Sequence, residues 1–168
     1  MKKKYCLIAI SIFMAFSAFA KDKNERDPFE LVLAVDEEQY FAAEIPQSPY
    51  VINDSIIQIY PGEKVYIEAD VKDNVLTNLK RVESIKKPKK TLTIEFIQQS
   101  EGKNHQFMML TITNPFSKTL SYSAHICLVK YARWVDTNVV DVMAGISSIE
   151  TWPDLISSIA LDEFKLVD

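Results

Sequence analysis

The nine residues EKVYIEADV, at positions 63–71, alternate cleanly between polar and apolar side chains. The apolar members share one face and are Val65, Ile67, Ala69 and Val71. Successive side chains of a β-strand point to opposite faces of its sheet, so a period of two with one apolar face predicts a half-buried strand. The segment therefore predicts a sheet with one face against a core.

Similar short extended segments occupy most of the chain. Outside 63–71 they are 29–35, 39–45, 55–60, 91–99, 105–113 and 119–129, with 74–84 a less regular example. Turn residues such as Pro61-Gly62 separate them. About eight short strands without a long helical pattern predict an all-β protein, either an antiparallel sandwich or a barrel. The chain has only three glycines, and because the corners of a small barrel usually need more, we expect the sandwich.

The last third of the chain is less regular. Residues 133–150 mix strand-forming residues with Asn, Asp and Gly. We expect a short helical turn near 152–159, capped by Thr151 or Asp154. A final strand would follow, and it must break its alternation at Asp162-Glu163, as a β-bulge would allow.

The N-terminus has the layout of a secretory signal peptide. Three lysines precede an apolar stretch of 14 residues, 6–19, which ends in Ala18-Phe19-Ala20. A membrane-spanning helix needs about 20 apolar residues. We therefore expect 1–20 to be a cleaved signal peptide, with the protein in the periplasm or secreted and no membrane span after cleavage. We expect 21–28 to be a flexible terminus and 29–168 to be a single domain.

Charge and cysteine content narrow the classes of function. Removal of Lys2, Lys3 and Lys4 with the signal peptide would take the formal net charge from −4 to −7, which gives no basis for nucleic-acid binding. Cys127 would be the one remaining cysteine, so no internal disulfide is expected. In an oxidising compartment a lone thiol is buried, paired with another molecule or bound to a metal.

Two stretches carry a resemblance to a known class of domain. YPGEKVYIEADV, 60–71, and LTITNPFSKTLSYSAHI, 110–126, resemble the strand and turn vocabulary of bacterial exported immunoglobulin-like domains. The likeness covers 55–130 and concerns the fold alone, so it transfers no site residues. It implies a single immunoglobulin-like β-sandwich, and it differs from antibody-type domains in lacking their Cys–Trp–Cys pattern.

A hairpin over 111–121 raises the possibility of a metal site. If Thr113 pairs with Thr119, His105 lies opposite Cys127, about 5 Å away. One face of the sheet would then collect candidate copper or zinc ligands: His105, His125, Cys127 and Met109. The alternative is ordinary packing, because a flat strand face surrounds a metal ion poorly and a free cysteine often behaves as a small apolar residue.

A basic loop and two aromatic residues are the candidates for contact with a partner. The loop KRVESIKKPKK, 80–90, contrasts with the acidic remainder of the chain. We expect a contact surface that consists of Lys86, Lys87, Lys89, Lys90, Phe116 and Trp152. The alternatives are a solvated loop that protects strand edges, and aromatic rings that fold back over the open end of the sandwich.

The sequence lacks the usual catalytic signatures. It has no Gly-x-Ser-x-Gly elbow, no phosphate-binding glycine loop and no His-Glu-x-x-His motif. We therefore expect an exported protein that is not an enzyme and uses no cofactor. We expect it to bind another envelope macromolecule, most simply another exported or envelope protein. The alternative is a periplasmic copper- or zinc-binding protein that uses the His/Cys cluster.

Overall fold

The computed structural model describes residues 24–168. The predicted signal peptide, 1–20, lies outside the described residues. The described chain is almost entirely β-structure, with a single 3₁₀ turn at Val129–Tyr131. The strands, numbered in chain order, are β1 (Glu25–Arg26), β2 (Phe29–Ala34), β3 (Tyr40–Ile45), β4 (Ser48–Pro49), β5 (Val51–Ile52), β6 (Ile56–Ile59), β7 (Glu63–Lys72), β8 (Val75–Val82), β9 (Thr91–Glu101), β10 (Asn104–Thr113), β11 (Thr119–Leu128), β12 (Arg133–Thr137), β13 (Ser147–Trp152) and β14 (Ile156–Val167). The all-β prediction is confirmed.

Ten of these strands form one antiparallel sheet. Its main order is β12-β11-β14-β8-β7-β9-β10-β13, with β6 paired to β14 and β5 paired to β6. The β-pairing between β14 and β8 is a single residue pair, Lys165 with Val75, and it joins two halves of the sheet. Buried side chains from both halves belong to one hydrophobic cluster. The arrangement is compatible with a β-sandwich.

The alternation in the sequence correctly identifies the inward faces of the long strands. Val65, Ile67 and Ala69 of β7 are buried, whereas the fourth predicted member, Val71, is 43% exposed beside the turn that ends the strand. Three further strands each bury one alternating set of residues, namely Leu92, Ile94 and Phe96 of β9, Met108, Leu110 and Ile112 of β10, and Leu120, Tyr122, Ala124 and Ile126 of β11. Burial of these side chains from both halves is the main force that holds the layers together.

The predicted pairing of β10 with β11 is wrong. β10 pairs with β9 and β13, whereas β11 pairs with β12 and β14. The connection after Thr113 therefore crosses from one half of the sheet to the other. The pattern of apolar residues misleads here because two strands that face each other across a core bury the same residues as two strands that lie side by side.

Asn114 fixes this crossing connection. The residue is fully buried. Its side-chain nitrogen lies 2.8 Å from the carbonyl oxygen of Lys118, 2.9 Å from that of Val142 and 3.2 Å from that of Met143. Its side-chain oxygen accepts the backbone N–H of Phe116 at 2.9 Å. One side chain thus ties the connection to the segment that joins β12 to β13.

The expected helical turn near 152–159 is wrong. Trp152 ends β13, a bend follows, and β14 begins at Ile156. The extended form prevails because β14 lies between β11 and β6 and pairs with both. The expected bulge at Asp162-Glu163 is confirmed, since the register with β11 shifts by one residue there and Glu163 has a φ of 51°.

The described part of the segment expected to be flexible, 24–28, is held in place instead. β1 pairs with β4, and the Asn24 side chain forms two hydrogen bonds of 2.9 Å with the backbone of Val51. Arg26 is only 3% exposed. The charged composition suggested solvation, but a guanidinium with enough partners can be buried.

A separate hairpin and a tight turn of the main sheet complete the fold. β2 and β3 form a separate hairpin, and the Gln98 side chain of β9 bonds the backbone N–H and carbonyl of Ala34 at 2.9 and 2.8 Å. The tight turn between β7 and β8 has Asp73 and Asn74 at φ values of 52° and 62°, the conformation that suits a two-residue hairpin. No helix among residues 24–168 is long and apolar enough to cross a membrane.

Candidate binding surface

Two of the four predicted contact lysines, Lys87 and Lys90, form ion pairs with the strand beside the basic loop. The Nζ of Lys87 lies 2.7 Å from Glu68, and the Nζ of Lys90 lies 3.0 Å from Asp70. The hydrogen bond to Glu68 raises the pKa of Lys87, and the hydrogen bond from Lys90 lowers the pKa of Asp70. Lys86 and Lys89 are exposed. Half of the expected positive charge is therefore balanced within the protein.

The two predicted aromatic contact residues are not exposed tips. Phe116 is buried in the main core, so its assignment to a contact surface is wrong. Its ring instead covers the core at the crossing connection, as large aromatic side chains often do. Trp152 is half-buried, packs against the core, and donates its indole N–H to the hydroxyl of Thr137 at 2.9 Å. Trp152 therefore links the ends of β13 and β12.

The predicted metal-ligand set is not assembled. His105 and Met109 lie on β10, in the other half of the sheet from His125 and Cys127 of β11. Cys127 is half-buried, and its neighbours across the strands are Trp134 and Ser158. Within residues 24–168, no group of three or more His, Cys, Asp or Glu side chains is arranged to hold a metal ion.

His105 joins a chain of hydrogen bonds between strands. The Nε2 of Gln98 donates to its Nδ1 at 2.9 Å, and its own Nε2 lies 3.1 Å from the carbonyl oxygen of Pro153. Because the carbonyl can only accept, this pattern places the ring proton on Nε2. Both ring nitrogens are occupied by structural partners.

His125 lies between two carboxylates on the outer face of β11. Its Nδ1 is 2.8 Å from Asp136 of β12, and its Nε2 is 3.3 Å from Asp162 of β14. The hydrogen bond with Asp136 is the main cause of a raised pKa for His125, with Asp162 adding to it. An imidazolium donates from both nitrogens, so the protonated ring fits this position.

A polar groove of about 490 Å³ opens around His125. Its walls carry three carboxylates, those of Asp136, Asp162 and Glu163, and include no Lys or Arg. The hydroxyl of Ser123 donates to Glu163 at 2.9 Å. The hydroxyl therefore points to a carboxylate and not to the imidazole, and both nitrogens of His125 are engaged. This is not the arrangement of a nucleophile beside a free base.

Exposed apolar side chains are concentrated in one segment of the chain, 131–149, which sequence reasoning missed. Of the thirteen large exposed hydrophobic residues in the described chain, six lie in 131–149: Tyr131, Trp134, Val140, Met143, Ile146 and Ile149. We call these six residues, with strands β12 and β13, the edge surface. The two strands end the order of the main sheet. One signal in the sequence could have indicated this surface. The segment is rich in strand-forming residues, but its apolar residues do not alternate as those of a half-buried strand do.

The comparisons with known proteins give no relative. No protein-family model, curated protein or solved structure matches this chain.

Proposed function

We propose that this is an exported, immunoglobulin-like β-sandwich protein that binds another envelope macromolecule through the edge surface and catalyses no reaction. The observation that carries the proposal is the concentration of exposed apolar side chains between Tyr131 and Ile149, a segment that runs from the 3₁₀ turn through β12 into β13. Soluble proteins seldom expose large apolar patches unless these serve binding.

The two edge strands of the sheet also support binding through this surface. β12 and β13 each have a neighbouring strand on one side only, among residues 24–168. Natural proteins usually protect such edges, because the free backbone groups attract other chains. Here Ile149 on β13 and Trp134 on β12 are 61% and 47% exposed, which favours contact with another molecule over protection.

The proposal that the protein catalyses no reaction is supported by the hydrogen bonds of its two histidines. Both nitrogens of His105 and of His125 have partners, so neither imidazole is free to take a proton from a nucleophile. Export rests on the signal-peptide pattern at 1–20.

Site-specific crosslinking tests the binding proposal. A photoreactive residue at Met143 or Ile149 should capture one and the same envelope component when the protein is produced in a bacterium that exports it. The matched control is the same photoreactive residue at Val71 or Val75, which are also exposed but lie outside the edge surface. Equal capture at all four positions, or none at Met143 and Ile149, would contradict the proposal.

Fractionation tests the export on which the proposal also depends. We expect the protein in the periplasmic or culture fraction, with Lys21 as its first residue by N-terminal sequencing. Full-length protein that stays in the cytoplasm would remove this part of the proposal.

A further inference from the structure

We propose that the free edge of β12 binds an extended segment of the partner as an additional strand, and that a lysine or arginine of that segment enters the groove beside His125. This inference rests on the proposed function and names the partner's chemistry. It combines three features of the same strand: its free edge, its exposed tryptophan and its acidic groove.

The free edge supplies the backbone contacts. β12, Arg133–Thr137, pairs with β11 along its whole length, and no other strand of the described chain pairs with its opposite side. An extended peptide that joins such an edge forms main-chain hydrogen bonds, and alternate side chains then provide specificity. Five residues are enough for a short added strand.

The groove specifies the charge of one side chain of the partner's segment. Asp136 and Trp134 share the outer face of β12, where Asp136 meets His125. A residue of the added strand opposite Asp136 would have its Cβ about 5 Å from that of Asp136. The groove there holds three carboxylates beside one imidazole ring, with no Lys or Arg in its walls. A cationic side chain complements this excess of negative charge.

Trp134 specifies the next position on the same face. Its side chain is 47% exposed, so an apolar side chain opposite it would cover the indole. The preferred segment therefore has a cationic residue and an apolar residue two positions apart.

The other free edge lacks this complementarity. On β13, the carboxylate of Glu150 accepts the backbone N–H of Val140 at 2.7 Å, and Thr113 and Ser147 bond each other at 2.7 Å. None of the residues that line the groove belongs to β13. The cationic segment is therefore assigned to β12.

Peptide pools test the assignment even before the partner is identified. Each pool has lysine, glutamate, serine or leucine at one fixed position, leucine two positions further along on the same face, and a random mixture elsewhere. NMR spectra of the whole exported chain should show the lysine pool shifting the amides of 133–137 and the indole of Trp134. No shift of these signals by the lysine pool, or an equal shift by the glutamate pool, would overturn the proposal. So would an unchanged effect after alternate amides of the lysine peptides are N-methylated.

Paired variants test the residues. Trp134→Ser and Asp136→Asn should each weaken binding of the lysine pool by about tenfold or more. Tyr40→Ser and Asp154→Asn remove an exposed aromatic residue and an exposed carboxylate elsewhere, and they should leave binding unchanged. Circular dichroism checks that all four variants fold. Equal losses in the test and control variants would contradict the assignment.

Two outcomes separate this inference from the proposed function. Crosslinking at Met143 and Ile149 that captures a partner, together with no response to the lysine pool, would retain the binding function and reject the added strand. Self-association that grows with protein concentration and disappears in Trp134→Ser would show that a second copy of the chain occupies the edge, which would also reject a cationic segment.

Discussion

At the scale of single residues, Arg26 shows how a charge is buried. Its guanidinium forms two bonds with the Glu63 carboxylate, of 2.6 and 2.9 Å. It also bonds the hydroxyl of Ser48 and the carbonyl oxygens of Pro49 and Gln58, so all five of its N–H groups have partners. Its Cζ atom lies 4.1 and 4.7 Å from the ring centres of Tyr50 and Tyr60. The start of the described chain is thereby held against β4, β6 and β7.

We expect Arg26→Met to lower the free energy of unfolding by about 3–5 kcal/mol, because the mostly buried Glu63 would lose its partner. Urea unfolding measures the change. Lys64→Met is the matched control, because its ion pair with Glu95 is exposed and 3.4 Å long; such pairs contribute at most about 1 kcal/mol. Similar losses in the two variants would contradict this account of Arg26.

Asn114 gives a second test at this scale. Asn114→Ala removes the acceptor of the Phe116 N–H and the side-chain donor of three carbonyl oxygens. Two of those oxygens keep a backbone donor, since Val142 still accepts the N–H of Leu120 and Met143 that of Ile146. Each buried group left unpaired costs about 1–3 kcal/mol, so we expect a loss of stability in or above that range. Amide hydrogen exchange should also speed up at Val142, which is bonded to Leu120. Asn138→Ala, at an exposed asparagine, should change neither quantity.

The sequence gives little warning of either residue. Arg26 stands in a run of charged residues that is typical of a solvated terminus, and the partners that bury it are up to 37 positions away. Asn114-Pro115 has the composition of a tight turn. Only the tertiary structure shows that the Asn114 amide reaches the carbonyls of Val142 and Met143.

At the scale of elements, the alternation in β7, β9, β10 and β11 was sufficient to predict which side chains face the core. It did not predict which strands are neighbours. The alternation of buried and exposed residues along two consecutive strands is the same whether they pair as a hairpin or face each other across the core. The metal hypothesis depended on a single register between β10 and β11. Since those strands lie in different halves of the sheet, His105 and Cys127 are not neighbours across a strand pair.

The link between β12, β11 and β14 should depend on pH. The pKa of His125 is raised from its usual value of 6.5, first by the hydrogen bond to Asp136 and then by Asp162. A group with a raised pKa in the folded state stabilises fully below its unfolded pKa, and this contribution is lost as pH rises through the folded pKa. We therefore expect the stabilisation from His125 to be present below pH 6.5 and to disappear above the raised pKa.

Two measurements check the role of His125. Urea unfolding of His125→Gln should lack the loss of stability that the parent protein shows as pH rises through this interval. An NMR titration should give His125 a higher pKa than a histidine in an unstructured peptide. A His125 that titrates below that peptide value would contradict the assignment of the two carboxylates as its partners.

At the scale of the whole molecule, the protein combines one large core with a separate hairpin. The main cluster draws side chains from both halves of the ten-stranded sheet. β2 and β3 pair only with each other, and their buried residues, Leu31 and Leu33, do not belong to that cluster. The two parts should therefore differ in local stability.

Hydrogen exchange checks this difference. Amides of β2 and β3 should exchange through a partial opening of lower free energy than the amides of β9 and β14, because the hairpin can detach without breaking the main core. Gln98→Ala removes its two bonds to Ala34 and its bond to the His105 ring, and it should speed exchange in the hairpin more than in β9 and β14. Uniform protection across all four strands would show that the hairpin and the core unfold as one unit.

The all-β class was predictable because short alternating segments repeat along the whole chain. The edge surface was not, since exposure of Trp134 or Ile149 depends on which strands end the sheet, and this order is a property of the complete topology. Residues 133–150 looked irregular because they contain two edge strands and the segment between them, and none of these needs a strict apolar period.

The turns of this fold also affect the unfolded chain. Among the described residues, ten have a positive φ and seven of them are not glycine: Asn53, Asp54, Asp73, Asn74, Asn78, Ala132 and Glu163. A glycine at each of these positions would ease the local backbone, but it would give the denatured chain more conformations. By using asparagine and aspartate at five of these seven positions, the protein starts folding with less conformational entropy to lose.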